Sequence, residues 1–390
     1  MRCTRMAWGL GIAAVSAAVL SGCCTDSLCM QVVTPPWAVP TAAGTSLVYE
    51  VLLSDYPAAG LELQEVEVFG DGDLLRTYTA AELLSEDYTA QAVLALPQAA
   101  PAKAQAVRCT QPVLYFSILL GQDEAVPEKI SHRFHFTGGT FPRGDAFSVR
   151  GGRAGVRDGA LPVIGPPMRG DRMAASESLA PSTHHRKGIV MVDGKPFISQ
   201  RFAIDWVRLT EQGTMAGGTA PGLESYAGYR QELLAVAAGT VVKVVEGVPD
   251  NQTPPDRDIE ITDETIAGNL VVLQIAENIY AFYGHCIPGS ILVREGDEVA
   301  AGQVLALMGN SGNSDLPHLH FHLADGLDLF GSQGVPFVTD HFVWQADFPY
   351  WTSDDSDFAG WARDFSWTPR ETPEPRAGEF FSNGMVVVLD

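Results

Sequence analysis

Positive charge is what this chain has least of. Its 390 residues carry 25 Lys and Arg against 47 Asp and Glu, a formal net charge of −22. A chain so short of cations has no basic face to offer a phosphate backbone, so nucleic-acid binding is excluded. Cysteine is scarce too: the six present are too sparse in so long a chain for disulfides to be its main staple. Long apolar runs are also missing. The one candidate, residues 7–20 behind Arg2 and Arg5, is too short for a membrane-spanning helix. A basic start, an apolar stretch and a small-residue ending read instead as a secretory signal over residues 1–22. Losing Arg2 and Arg5 takes the net charge from −22 to −24.

What remains is ordinary globular material, 46% hydrophobic and 18% charged, and long enough for two domains with separate cores. The signal ends in Leu20-Ser21-Gly22-Cys23, which resembles a bacterial lipobox. The resemblance implies a mature chain that starts at Cys23 with lipid on its sulfur and amine. It also implies residence in the cell envelope, on the periplasmic face of an outer membrane or at the cell surface. Cys24 is the second candidate, and it would put Ser21 where an apolar residue belongs. An uncleaved anchor is the alternative, and either way the body lies outside the cytoplasm.

Residues 23–40, rich in Thr, Pro, Val and Ala, read as a tether. Residues 46–54 (SLVYEVLLS), 61–69 (LELQEVEVF), 91–96 and 112–120 (PVLYFSILL) are β-rich runs between Gly, Pro and Asp clusters. Residues 80–84 read as one helical turn. Residues 41–137 are therefore expected to form an Ig-like antiparallel sandwich, in which His132 and His135 are ordinary core or surface residues. Residues 138–180, rich in Gly, Pro, Arg and Ser, read as a linker or covering segment. Residues 181–345 repeat short strands with Gly punctuation, so a mostly antiparallel β domain is expected. Residues 346–390 read as a tail. Of the four late tryptophans, Trp344, Trp351, Trp361 and Trp367, pinning that tail to the body is the expected role. The fold class is all-β throughout.

The most informative stretch is GNSGNSDLPHLHFHL, residues 309–323. Behind a Gly/Asn/Ser turn, His318, His320 and His322 alternate, and in a strand they share one face. Three titratable rings crowded together call for a metal or a shared proton between them. Upstream stand Tyr283-Gly284-His285, the hairpin-like EGDEVAAGQVLALMGNSG and Gln200-Arg201-Phe202-Ala203-Ile204-Asp205. The order Asp, Tyr-x-His, Gly-rich hairpin and Pro-His-Leu-His-Phe resembles the lysostaphin-type zinc endopeptidases, which cut peptide cross-links in bacterial cell walls. The resemblance spans about residues 180–340 and implies Zn2+ as cofactor and peptidoglycan peptides as partner. It also implies Asp205 and His320 as metal ligands, with His285 and His318 handling the proton and the developing oxyanion.

One position departs from that pattern. Where the family's HxxxD motif has its histidine, four residues before Asp205, this chain has Arg201, and a guanidinium has no lone pair for a metal. The substitute could come from a hairpin around Asp193-Gly194. A three-residue loop, 192–194, puts His185 opposite Arg201, with Cβ atoms ~5 Å apart; a two-residue loop, 193–194, brings His184 to that side. A family variant with QRFAIDW and an upstream His-Arg pair looks similar and favours His185. His322 and Cys286 are further substitutes, though Cys286 reads first as a residue buried beside the site.

Other readings fare worse. A lipoyl- or biotin-type hairpin needs a Lys at its tip, and none lies between Glu295 and Gly312. Two expectations survive. One is a lipid-anchored zinc endopeptidase with His185, Asp205 and His320 as ligands. The other is a zinc-free wall-binding or regulatory lipoprotein on the same fold.

Overall fold

The computed structural model describes residues 23–25, 28–54, 61–85, 89–95, 107–109, 111–138, 146–217, 222–348 and 367–390. The signal segment 1–22, the Cys23 side chain, Trp351 and Trp361 lie outside what is described.

The first unit is two antiparallel sheets facing each other. Leu61–Gly70 alternates along its length, burying Leu61, Leu63, Val66 and Val68 while charged residues face outward, as a half-solvated sheet requires. It pairs with Asp73–Thr79 and Lys129–Gly138, and Ala146–Gly155 completes that four-stranded sheet. The opposing sheet is built around Gly44–Ser54 and Val113–Leu120. Tyr49, Phe116, Phe134 and Phe136 fill the space between. His132 belongs to this core, and His135 lies at the surface against Glu67. The helical turn is Ala80–Leu83, closed by a capping box between Thr79 and Glu82.

Three boundaries differ from the sequence expectation. The tether of residues 23–40 is largely strand: Leu28–Val32 and Trp37–Thr41 both pair with Gly44–Ser54. The linker of 138–180 contributes Ala146–Gly155 to the first unit and Gly170–Ser176 to the second. The tail from 346 onward supplies Thr368–Arg376 and Met385–Leu389. Gly and Pro break up residues 23–40, 138–180 and 368–376, so composition there hides strands that pairing with a neighbouring or distant strand defines.

The second unit is an eleven-stranded antiparallel sheet. At its centre Leu319–Ala324 lies between Ile279–Cys286 and Ile204–Arg208, and the latter pairs onward to Gly170–Ser176. Leu319, Phe321 and Leu323 point into the core with Ile204, Trp206 and Tyr283. The period of two then sends His320, His322 and Asp205 to the opposite face. Each such fully buried apolar side chain contributes about 1.5–3 kcal/mol, so a one-residue slip, which would exchange the two faces, is strongly disfavoured. Val39 and Val48 of the first unit join this core, so the sandwich is docked on the sheet. Trp344 lies under the Arg370 guanidinium, its ring centre 3.8 Å from the guanidinium carbon, and Trp367 packs against the apolar cluster that includes Val207, Leu209 and Phe348; both tie the C-terminal segment to the body.

Candidate metal centre

Ladder register sets the first contact. Asp205 stands directly opposite His320, which on its other side faces Gly284. His320 Nδ1 lies 3.0 Å from Asp205 Oδ1. The same oxygen is 3.4 Å from His185 Nε2 and 3.6 Å from His318 Nε2. The other carboxylate oxygen is 3.8 Å from His184 Nε2. His285 completes the cluster, with ring centres 4.6 Å from His318 and 5.9 Å from His320.

The Gly/Asn/Ser turn positions two of these rings. Asn251 donates both amide protons among the carbonyls of Asn310, Gly312 and Ser314, at 2.9–3.0 Å, which folds the loop back on itself. Gly312 has φ +78°, and a Cβ there would come within 2.3 Å of the Gly268 nitrogen; no other residue fits. The loop so fixed presents the Ser311 carbonyl to His285 Nδ1 at 2.7 Å. His318 Nδ1 is 2.8 Å from the Leu316 carbonyl. His285 itself adopts φ +62°, a conformation that costs a non-glycine residue ~1–3 kcal/mol and collects at functional sites.

His185 arrives by a route other than the one expected. The hairpin is short, Val190–Val192 against Lys195–Phe197, with the two-residue loop Asp193-Gly194. Both loop residues have positive φ, the requirement of a type I′ turn. Pairing ends at Val190 and Phe197, so no register carries a histidine to Arg201. His184 and His185 instead sit on one helical turn, His184–Lys187, capped by Thr183. Arg201 is buried elsewhere, its Nε 2.9 Å from Glu50 Oε2. Cys286 is buried with its thiol on the Tyr283 carbonyl, and burial raises its pKa; it is not among the grouped metal-ligating atoms.

Sequence reasoning missed Glu177. It is buried, held at φ +51°, and its carboxylate lies 2.8 Å from His184 Nδ1. Its carbonyl accepts from His185 Nδ1 at 2.8 Å. Nothing in Ser-Glu-Ser marks such a role, because it arises only when Gly170–Ser176 ends beside the histidine turn.

The electrostatics follow from burial and proximity. Burial alone would raise the Asp205 carboxyl, but the His185 and His318 imidazoles around it hold it well below its usual range. Burial pushes His320 down to about 4, and His285 and His322 well below their ordinary value. His184 keeps much of its ring in solvent, and the Glu177 carboxylate 2.8 Å away pushes it up to about 9. At neutral pH, then, His285, His320 and His322 are uncharged around one carboxylate.

That donor set fits a cation. His185, Asp205 and His320 each offer an atom within 4.8 Å of the other two. His185 Nε2 is buried with no hydrogen-bond partner, an orphan that normally needs an explanation. Its Nδ1–H is committed to the Glu177 carbonyl, so Nε2, facing Asp205, is the ring atom left to bind a metal. Two tetrahedral zinc ligands at ~2.1 Å stand about 3.4 Å apart, close to the separations present.

Residues 219–330 match the family model described as Peptidase family M23. Over those residues the chain is similar to peptidase family M23. The matched M23 range holds His285, His318 and His320 and begins downstream of Asp205 and His185, the part where the chain departs from the usual motif. Among solved structures, the chain is similar to the catalytic domain of lysostaphin from Staphylococcus simulans, at 18% identity over 37% of this chain and 78% of that one, TM-score 0.22. It is also similar to the catalytic domain of the M23 protein EnpA from Enterococcus faecalis, at 21% identity over 45% and 92%, TM-score 0.25. A zinc-containing peptidase from Vibrio cholerae matches at 14% identity over 53% and 80%, TM-score 0.20. No curated protein matches.

Proposed function

We propose that this protein is an M23-type zinc metalloendopeptidase that hydrolyses peptide bonds in peptidoglycan. One observation carries the reading: buried His185 Nε2, with its Nδ1 on the Glu177 carbonyl, lies 3.4 Å from Asp205 Oδ1, and His320 Nδ1 lies 3.0 Å from the same oxygen. Three donors converging without an intervening proton for each are stabilised by a shared cation. His185, Asp205 and His320 would hold it.

Zinc in such a place supplies Lewis acidity and makes water nucleophilic near neutral pH. The chain's own residues supply the rest. His285 Nδ1–H donates to Ser311 and His318 Nδ1–H donates to Leu316, which leaves both Nε2 atoms as acceptors. A neutral imidazole fixed in this tautomer takes a proton at Nε2 and can return it to a leaving amine. His318, with Nε2 3.6 Å from Asp205 Oδ1, is the ring placed to take it. His285, its ring centre 4.6 Å from that of His318 and fixed in the same tautomer, offers a second Nε2 acceptor that would orient the attacking water.

The envelope setting belongs to the same proposal. Cys29 is disulfide-bonded, and a disulfide suits an oxidising compartment.

Arg201 favours a second reading, a zinc-free regulatory or wall-binding protein on this fold. Metal analysis of the purified protein separates the two. The expected result is one zinc per chain that is lost in His320→Ala, with release of soluble peptides from purified peptidoglycan that stops in the same variant. A folded protein that takes up no zinc from micromolar solution leaves the second reading standing.

A further inference from the structure

We infer that the first domain completes the metal site, with Glu50 and Arg186 as positioning residues that seat His185. The inference rests on the zinc reading above. Glu50, on Gly44–Ser54 of the sandwich, is fully buried, and its carboxylate takes charge-assisted hydrogen bonds from two arginines of the second unit. Arg186 donates to Oε1 through Nε at 3.1 Å and Nη2 at 2.8 Å; Arg201 donates through Nε to both oxygens, at 3.1 and 2.9 Å.

The two arginines do different things. Arg186 follows His185 directly on a four-residue turn, and a helix that short has no stability of its own. What fixes it is the guanidinium, which also reaches Ser117 Oγ at 2.8 Å, the Phe116 carbonyl at 3.1 Å and the Tyr49 carbonyl at 3.3 Å. All three lie in the first domain. Ser117 in turn donates to the Leu179 carbonyl, just ahead of the turn. The ligand His185 is thus held from outside its own domain. Asp205 needs no such help, because ladder bonds fix its strand to Gly170–Ser176 on one side and Leu319–Ala324 on the other. Arg201, four residues before Asp205, fills the other half of the Glu50 carboxylate and carries no ligand.

The arrangement also explains how a chain with Arg at position 201 can keep a three-ligand site. The slot normally used for coordination has become half of a domain clamp, and the clamp's other half delivers the replacement histidine.

The test compares Arg186→Met with Arg201→Met in the full mature chain. Both remove one charge from the same buried cluster, but only the first releases the turn. Zinc affinity is read by chelator competition, cobalt(II) absorption reports the ligand set, and melting temperature without metal gives each variant's loss of stability. Arg186→Met is expected to bind zinc about tenfold or more weakly, with an altered cobalt spectrum, as outer-shell changes do. Arg201→Met should stay within about threefold of the parent with an unchanged spectrum. Equal affinities in the two variants, or losses that simply track melting temperature, overturn the inference. Should Arg186→Met fail to fold, Glu50→Gln, which keeps the shape, must still weaken zinc and alter the cobalt spectrum; parental values there overturn it as well. A parent protein that binds no zinc overturns the metal reading itself, a separate result.

Discussion

His320 Nε2 lies 3.1 Å from His322 Nδ1, so the ring that faces Asp205 is held from behind by a second imidazole. His322 is fully buried, stacked on Phe282 with the rings 4.5 Å apart and 10° from parallel. Its Nε2 is 3.3 Å from Ser199 Oγ, which is 3.0 Å from Ser332 Oγ, and Ser332 donates to the Asp328 carbonyl at 2.6 Å. With His320 donating from Nε2, every member of this chain can donate to the next and the line ends on a carbonyl. That proton order leaves the His320 Nδ1 lone pair facing Asp205, as a metal ligand requires. His322→Phe keeps the stacking and removes the acceptor. Zinc affinity is expected to fall about 10- to 100-fold with little change in the metal-free melting temperature. Parental affinity in a chelator titration would show that the relay is incidental.

The two adjacent histidines should separate cleanly. His185 Nε2 is a buried orphan, whereas the His184 side chain is largely exposed and paired with Glu177. His185→Ala is expected to abolish stoichiometric zinc, and His184→Ala to retain it. Equal zinc content in both variants, by elemental analysis, would refute the assignment of ligands.

Metal removal should register in stability. A ligand that binds only the folded chain stabilises it by about 2.7 kcal/mol at a hundred times its dissociation constant. Adding zinc to chelator-treated protein is therefore expected to raise the melting temperature, and His320→Ala to show no such rise. An identical rise in that variant would place the effect at some other site.

The first domain carries its own pH dependence. His132 is buried, with Nδ1–H donating to the Gly152 carbonyl at 2.9 Å and Nε2 accepting from the Tyr49 hydroxyl at 2.9 Å. Burial pushes its pKa down to about 4. The unfolded chain, titrating near ~6.5, then binds more protons between pH 6.5 and 4, so stability falls as pH drops through that window. That difference corresponds to at most about 3.4 kcal/mol. In urea unfolding at pH 7.5 and 4.5, the non-titrating His132→Gln variant should lose less stability than the parent. Parallel losses in the two would remove His132 as the cause.

Lipid attachment predicts a solubility change. Cys23→Ala is expected to move the protein from the detergent phase to the aqueous phase and to abolish labelling by a palmitate analogue. Unchanged partitioning would point to retention of the signal segment as an anchor.

The sequence alone determined the all-β class and the faces of its central strands. A period of two with Leu319, Phe321 and Leu323 between the histidines can be satisfied only by a strand buried on one side and functional on the other. The order of Asp205, His285, His318 and His320 was equally legible, because strand pairing brings such blocks together whatever surrounds them. The position of His185 was not. Its hairpin is real but too short to carry the argument, and what places it is an arginine gripped by Glu50, 136 residues away in sequence. Domain limits escaped for the same reason. Residues 28–41, 146–155 and 368–376 are interrupted by Pro, Gly or charge, so only their pairing partners show them to be strands, and a buried charge shared between two domains leaves no mark in either segment read by itself.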